Sequence, residues 1–562
     1  MSSFLPTILL GFSALAAAAA PAQQPATSYQ PGSVDFEQTA GWAILSGGRH
    51  KPLDSYAREL IVQISGRKVT QLDGVHALEM VWGYALSPED FLARPYVRVD
   101  NDDLKLLIGV DKGERRFAFN TLAASAELSR IANEGYRKEE ADEGPTPVER
   151  DAMRVWNKLG AIDQLRSGAS LTLFPILGPS GEWASPASLA KDSQGPGSEA
   201  LGVYGRLRSA FRAGDRAAFA SAATELGAAL RALSPAAYPD PGDLELELKY
   251  NRWDTFGKAS WLFLLGFVLI LVFARAQNRL GYALGLGSVI VGFAGQTVGI
   301  GMRWAIAGRA PVSDMYESLV FMGWGVIAIG LVLELVYRKG YFGMVAGALG
   351  FLALAFARWL PPSMMDSSIS PLMPVLRNTS WLSIHVMTIM LSYSAFFLAM
   401  GMGHVVMFKQ LYQPGRTNQL KTLTALLYKT IQVGVLFLAA GIAFGAIWAN
   451  ESWGRYWGWD PKETWSAITF FIYLAVIHAR YAGWIHQYGL AVCSVISFMF
   501  VLFTYYGVNY VLGAGLHAYG RGSGGMVYVI GYLLAELAVI LLGWWRYQVA
   551  IRTGQIAKPV LD

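Results

Sequence analysis

A chain of 562 residues in which 53% are apolar and only 15% are charged is too apolar to consist of soluble domains alone. Its net charge of +5 is small for this length, and no Lys/Arg-rich stretch indicates a nucleic-acid surface, so nucleic acid is not an expected partner. The one cysteine, Cys493, excludes a disulfide within the chain, a CxxC redox pair and a CxxCH site for covalent heme.

The first 24 residues, MSSFLPTILLGFSALAAAAAPAQQ, form a short apolar stretch that ends in an Ala-rich, A-x-A-like segment. This pattern is typical of a secretory signal. Apart from the N-terminal amine the stretch has no positive charge, so residues 1–24 are either a cleaved signal peptide or an uncleaved anchor. In both cases the segment that follows is expected to be exported.

Residues 30–250 have the charge density of a soluble domain. The sequence predicts a short helix over 50–64, behind Pro52, and an Ala-rich helical stretch over 199–233 that Gly214 interrupts. No motif in this region carries chemistry. We therefore expect an exported, mostly helical soluble domain whose role is open and whose simplest interpretation is docking or scaffolding.

From residue 258 onward, apolar runs of about 20 residues recur, which is the length that crosses a hydrocarbon core roughly 30 Å thick. The predicted fold is mainly α, a polytopic membrane bundle of about nine core helices behind the soluble domain. The nine predicted spans are 258–274, 281–302, 314–337, 341–360, 381–408, 426–449, 461–484, 487–512 and 525–547.

Charge predicts the orientation of these spans. If residues 30–250 lie outside, the predicted cytoplasmic connections carry twelve Lys and Arg residues and the external ones carry seven. This bias follows the positive-inside rule. The sequence thus predicts a multi-pass protein of the cytoplasmic membrane, with its soluble domain and residues 448–465 on the external, periplasmic side.

Residues 448–465, WANESWGRYWGWDPKETW, contain five of the 18 tryptophans. One interpretation is an aromatic belt at the membrane interface. The density of tryptophans in one loop favours the other interpretation, a flat apolar platform for a planar macrocycle. Asp460, Pro461 and Glu463 also match a helix start, with an N-cap, a proline at the first position and a capping box.

Four of the seven histidines lie at informative places in or beside the predicted spans. His385 is less than 10 Å down the fifth span, and His517 follows the eighth span, so both are predicted on the side of the tryptophans. Because imidazole is a common axial ligand of heme iron, these two are candidate ligands of one iron. His478, about 25 Å past Pro461, could serve chemistry or packing, whereas His404 is expected to be structural.

Several segments of the second half of the sequence resemble a known family. WGRYWGWDPKETWSAITFFIYLAVIHAR is similar to the WWD motif of the heme-handling cytochrome c assembly proteins, most closely of the CcsA/ResC type. SWLSIHVMTIMLSYSAF and YYGVNYVLGAGLHAYG resemble the two external histidine segments of that family, and PVSDMYESLVF resembles the segment before an early core helix. The resemblance covers about residues 254–562.

The resemblance implies a heme-handling role in cytochrome c biogenesis of system II. Heme b, a non-covalent substrate, would be held externally by His385 and His517, after passing an intramembrane ligand, His478. The residues that the resemblance assigns to heme are His385, His517, His478, Trp453, Trp457, Trp459, Asp460 and Trp465, the three histidines being ligands of the iron.

The same resemblance implies the partners. An apocytochrome c with a CxxCH motif would receive the heme, and a CcsB/ResB-type membrane protein would supply the further intramembrane histidine. The chain would then act as a subunit of a cytochrome c–heme synthase, although its own enzymatic role is left open. A system I-like WWD heme transfer protein and a heme-independent transporter or sensor remain alternatives. Arg303, Arg309 and Arg377 are candidates for pairing with heme propionates.

Overall fold

The computed structural model describes residues 29–177, 183–191, 197–275, 278–372, 380–413, 417–512 and 526–555. Ahead of residue 254 these residues form short strands and helices. The strands are β1 Ala43–Ser46, β2 Arg49–Pro52, β3 Gln71–Leu72, β4 Val75–His76, β5 Val97–Arg98, β6 Arg116–Phe117, β7 Phe174–Leu177 and β8 Trp183–Ala184. The helices are α1 Leu53–Ser65, α2 Ala77–Leu86, α3 Pro88–Phe91, α4 Asp102–Leu107, α5 Phe119–Ala123, α6 Ala126–Glu140, α7 Pro147–Arg166, α8 Pro186–Leu189, α9 Ser198–Ala213, α10 Arg216–Leu233 and α11 Pro241–Trp253.

After residue 254 the described chain is almost entirely helical. The helices are α12 Thr255–Arg275, α13 Arg279–Ala307, α14 Met315–Tyr337, α15 Tyr341–Trp359, α16 Ser380–Tyr412, α17 Thr417–Trp453, α18 Pro461–Tyr481, α19 Gln487–Leu502 and α20 Met526–Arg552. A π-helix, Phe503–Leu512, continues α19. π-Helices are rare, and single π turns within α-helices are frequently found at functional sites.

The described chain forms two compact units. The first unit contains residues 29–38, 73–171 and 185–233. Its helices begin at local signals, for example the capping box of Thr146 and Glu149 ahead of α7. Its aromatic core includes Tyr29 stacked on Phe211 at 4.3 Å. The predicted helical stretch over 199–233 is confirmed as α9 and α10, which are separated at Gly214.

The second unit contains the described residues of 39–72, 172–184 and 234–555, and so includes parts of the region predicted as the soluble domain. The predicted helix behind Pro52 is confirmed as α1. The hairpin of β1 and β2 lies before it, and there Arg49 forms a bidentate ion pair with Glu247 of α11 at 2.7 and 2.8 Å. Arg49 also donates to the carbonyl oxygen of Ile369, at 2.7 Å. Residues 39–72 are therefore tied directly to the helical bundle that follows.

Eight helices among the described residues are long and apolar enough to cross a membrane, one fewer than the nine predicted spans. They are α12 to α17, α19 with its π-helix, and α20. The first of them, together with α11, extends over Pro241–Phe273. The seventh predicted span, 461–484, forms the helix α18. This helix is less apolar than the other eight, because Lys462 and Glu463 lie in its first turn and His478 and Arg480 in its last turn.

The core of the bundle includes α18 nevertheless. Tyr473 of α18 is fully buried and stacks on Phe396 of α16, with ring centroids 3.6 Å apart and planes 8° apart. On the same helix Thr469 hydrogen-bonds to Thr504 of the π-helix at 2.9 Å. The chain is a multi-pass membrane protein in which α16, α17, α18 and the π-helix pack around one end of the bundle.

Candidate functional site

A cleft of about 530 Å³, measured to its open mouth, lies where α16 and α18 begin and α17 ends. Four helical elements and the loop between α17 and α18 contribute to it. The lining residues are His385, Ile389, Tyr393, Ile442, Gly445, Ala446, Ala449, Tyr456, Trp457, Lys462, Glu463, Ser466 and Thr504.

His385 lies in the second turn of α16, where the sequence predicts it. Its Nδ1 is 2.8 Å from the carbonyl oxygen of Gly441 on α17. Since a carbonyl oxygen only accepts, Nδ1 carries the proton, and the lone pair of the neutral ring lies on Nε2. A hydrogen bond of this kind fixes the tautomer and orientation of metal-ligating histidines.

The surface of α17 is shaped to receive this imidazole. A Cβ atom at Gly445 would lie 2.6 Å from Cε1 and 2.7 Å from Nδ1 of His385, so only glycine leaves room for the ring. Trp448 lies parallel to the imidazole, with ring centroids 6.3 Å apart and planes 7° apart. The ring of His385 is thus held by packing as well as by its hydrogen bond.

The acidic residues of the tryptophan-rich loop begin α18, as the sequence predicts. Asp460 is the N-cap and forms a capping box with Glu463. The Oε2 atom of Glu463 also accepts from the backbone N–H of Gly458, at 2.7 Å. Arg455 approaches Oε1 of the same carboxylate at 3.3 Å. Both carboxylates are buried and hold the loop in its shape.

The tryptophans of this loop do not form one flat platform, as the sequence led us to expect. Trp453 meets Trp448 at 66°, with centroids 4.7 Å apart, behind His385. Trp457 lines the cleft and is nearly perpendicular to Trp459, whose side chain is 74% exposed. Trp465 packs instead on Phe503 of the π-helix, at 4.1 Å.

Backbone conformation explains this arrangement. The loop turns at Gly454, with φ of 72°, and again at Trp459, with φ of 57°. Each turn through the left-handed region rotates the side chains that follow, so tryptophans that are close in sequence point in different directions.

The other predicted iron ligands are not brought into this cleft by the described residues. His478 is exposed in the last turn of α18, and its Nδ1 is 2.7 Å from the carbonyl oxygen of Leu474. Because α18 is unbroken, His478 lies about 25 Å along the helix from Pro461. His517 lies outside the described residues. His404 is paired through Nε2 with the buried Glu536 of α20, at 2.9 Å, in agreement with a structural role.

The arginines that the sequence suggests for propionates are engaged elsewhere. Arg303 is fully buried, and it donates to Glu317 at 2.9 Å and to the carbonyl oxygens of Ser367 and Ser368. Arg309 pairs with the other carboxylate oxygen of Glu317, at 2.7 Å. This network fixes the segment after α15 to the bundle, and neither side chain lines the cleft. Arg377 lies outside the described residues.

Sequence reasoning missed several residues of the cleft. Tyr393 lies two turns beyond His385 on α16, and Thr504 belongs to the π-helix. Lys462 is one of the seven basic residues predicted in external connections, and the sequence suggested no further role for it. The close approach of α17 to His385 could have been predicted from the sequence. Gly441 and Gly445 are four residues apart, and small residues at this spacing let membrane helices approach closely.

Comparisons with known proteins find relatives of the region that contains the cleft. The family model of the cytochrome c assembly protein matches residues 312–517, which include His385 and the tryptophan-rich loop. The cytochrome c biogenesis protein CcsA of Guillardia theta is 34% identical over 281 residues, which make up 46% of this chain and 91% of that protein. CcsA of a Prochlorococcus marinus strain is 35% identical over 253 residues, 39% of this chain and 79% of that protein.

A longer relative extends the similarity to the N-terminal part of the chain. Protein NrfI of Wolinella succinogenes is 29% identical over 523 residues, or 88% of this chain, so the match includes most of the residues before 254. The chain spans 56% of the length of NrfI. The solved structure of the cytochrome c heme lyase CcmF has a TM-score of 0.37 and 16% identity, covering 54% of this chain and 51% of that one.

Proposed function

Because the chain belongs to the cytochrome c assembly protein family, we propose that it binds heme in the cleft at His385 and presents it for covalent attachment to an apocytochrome c. The observation that carries the proposal is the position of His385. A histidine with an oriented ring lies in a mostly apolar cleft whose rim is the tryptophan-rich loop.

The residues of the cleft fit a heme substrate. Nε2 of His385 is the atom that would ligate the iron, since Nδ1 is bonded to Gly441. Trp457 and Tyr393 offer aromatic surface to the macrocycle. Asp460 and Glu463 contribute indirectly, because they hold the loop that carries Trp457.

The second axial ligand in this proposal is His517. The π-helix contributes Thr504 to the cleft and ends at Leu512, five residues before His517. Five residues of chain reach at most about 17 Å. A histidine on this segment is therefore tethered to the wall of the cleft, which supports a pair of histidine ligands drawn from two different segments.

The reaction needs positioning more than acid–base chemistry. In thioether formation the S–H bond of each CxxCH cysteine adds across a vinyl group of heme, with sulfur bonding to one carbon and hydrogen to the other. No external oxidant or reductant is consumed, provided that the thiols are already reduced. The protein contributes by holding heme in one orientation beside the incoming peptide. The rigid setting of His385 between Gly441, Gly445 and Trp448 serves this purpose.

We assign the cleft to the external face of the cytoplasmic membrane, and we take α18 as a ninth crossing helix because it packs in the core of the bundle. His478 then lies toward the cytoplasmic side, about 25 Å away, and serves an earlier site on the path of heme. Its exposure suits a site completed by another protein, and we propose a CcsB/ResB-type partner as in system II.

Cytochrome c maturation in a host that lacks its own system tests this function. His385→Ala, expressed with the partner, should give little or no holocytochrome c. The matched control is His486→Ala, since His486 is exposed at the start of α19 and makes no capping bond. Normal maturation by His385→Ala would refute the assignment of the cleft, whereas equal losses in both variants would point to a general defect.

A further inference from the structure

Lys462 places an ammonium group in the wall of the cleft that contains His385. It is the second residue of α18, directly after Pro461. Its Nζ lies 3.3 Å from Oδ1 of Asn509 and 3.5 Å from the carbonyl oxygen of Tyr505, both on the π-helix. The charge is therefore held between two helical walls at the mouth of the cleft.

This cation is weakly satisfied within the described part of the chain. The acceptors of its Nζ among the described residues are Oδ1 of Asn509 and the carbonyl oxygen of Tyr505. Both contacts with the π-helix are long compared with the usual N–H···O distance of about 2.9 Å. An ammonium group has three donors, and two of the contacts of Lys462 are with neutral oxygens of the π-helix. These contacts orient Lys462 and leave room for a further acceptor.

The neighbouring acids do not compensate for this charge by direct contact. Glu463, which also lines the cleft, has its carboxylate bonded to the backbone of Gly458 and Asp460 and close to Arg455. Asp460 accepts from the backbone N–H of Lys462 rather than from its side chain. The ammonium group of Lys462 is consequently available to a ligand in the cleft, whereas the carboxylates of Asp460 and Glu463 hydrogen-bond to the backbone of the loop and of α18.

We propose that Lys462 is a positioning residue that binds a carboxylate of the molecule held at His385. The inference rests on the proposed function, in which that carboxylate is a heme propionate. An ammonium–carboxylate contact is a charge-assisted hydrogen bond, roughly twice as strong as a neutral one. The propionates and the vinyl groups lie on opposite edges of protoporphyrin IX. A propionate at Lys462 therefore turns the vinyl edge away from α18 and fixes which edge meets the cysteine thiols.

This role defines the substrate class as iron porphyrins that carry free carboxylates. The test is titration of the full chain, purified in detergent, with iron protoporphyrin IX and with its dimethyl ester, followed by visible absorption. The unmodified chain should bind the diacid about tenfold more tightly than the diester, as expected for one charge-assisted hydrogen bond. This comparison needs no substitution and so does not depend on the folding of a variant.

Two variants test whether the preference for the diacid depends on Lys462. Lys462→Met should lower the affinity for the diacid about tenfold and leave the affinity for the diester unchanged, and Lys462→Arg should keep the preference for the diacid. The Soret maximum should be the same in all three proteins, because the iron ligands are unaltered. A purely structural role for Lys462 would weaken the binding of both porphyrins equally.

The possible failures are distinguishable. Equal affinity of the unmodified chain for diacid and diester would overturn the role of Lys462 and leave heme binding at His385 intact. A preference for the diacid that persists in Lys462→Met would overturn it as well. Binding of either porphyrin that is unchanged in His385→Ala would instead refute the proposed function.

Discussion

Gly445 provides a sharp test of the geometry around His385, because it is the point of closest approach between α17 and the imidazole. In Gly445→Ala the new methyl group would lie 2.6 Å from Cε1 and 2.7 Å from Nδ1. Ordinary contacts begin at 3.4 Å, so the ring must move by about 0.8 Å. Such a shift breaks the 2.8 Å hydrogen bond to Gly441, which is worth about 1 kcal/mol.

The expected result is a loss of heme rather than a loss of fold. Overpacking costs about 1–3 kcal/mol. Together with the lost orientation of Nε2, this should lower the affinity for heme at least about tenfold. Heme per chain is measured by the pyridine hemochrome method, and thermal unfolding is measured in parallel. The control is Gly287→Ala on α13, where a Cβ meets nothing within 4 Å, and heme content should not change there. Full heme occupancy in Gly445→Ala would refute the packing argument.

Two further predictions follow from other parts of the chain. His478→Ala should lower total heme while the unfolding temperature stays the same. Normal heme content would show that His478 does not bind heme and serves only packing. Expressed alone in a host without its own maturation system, the chain should give little or no holocytochrome c, and a CcsB/ResB-type protein should restore it; robust maturation by the chain alone would refute the need for that partner.

The helices of the bundle were predictable because membrane crossing imposes a length and an apolar composition. Their ends were less so. α17 was predicted over 426–449 but extends over Thr417–Trp453, since its first turns are polar and continue the helix beyond the apolar run. The start of α18 was correct to the residue, because Asp460, Pro461 and Glu463 form a local signal that needs no tertiary contact.

Contacts between distant segments were beyond sequence reasoning. The pairing of His404 with Glu536 joins α16 to α20, and that of Arg49 with Glu247 joins residues 39–72 to α11. Neither pair has a characteristic spacing, since each depends on how the helices pack. Because such contacts cannot be predicted from the sequence, the region before 254 was predicted as one separate soluble domain. In the structure, parts of that region belong to the unit that contains the membrane helices.

Within the cleft, the residues were easier to predict than the orientations of their side chains. His385 was expected beside the tryptophan-rich loop, and the described residues place it there with Trp457. The different orientations of the tryptophans were not predictable, since they depend on the left-handed backbone at Gly454 and Trp459. Lys462 gained its significance only from the π-helix that lies across from it.

The visible spectrum of the purified full chain, together with its partner, tests the central claim most directly. We predict a Soret band and, after reduction, the α and β bands of a low-spin, histidine-ligated b-type heme that acid–acetone extracts. In His385→Gly the external heme should be lost, and added imidazole should restore part of it by replacing the missing ligand. A colourless complex, or a spectrum that is unchanged in His385→Gly, would contradict the claim that this cleft binds heme.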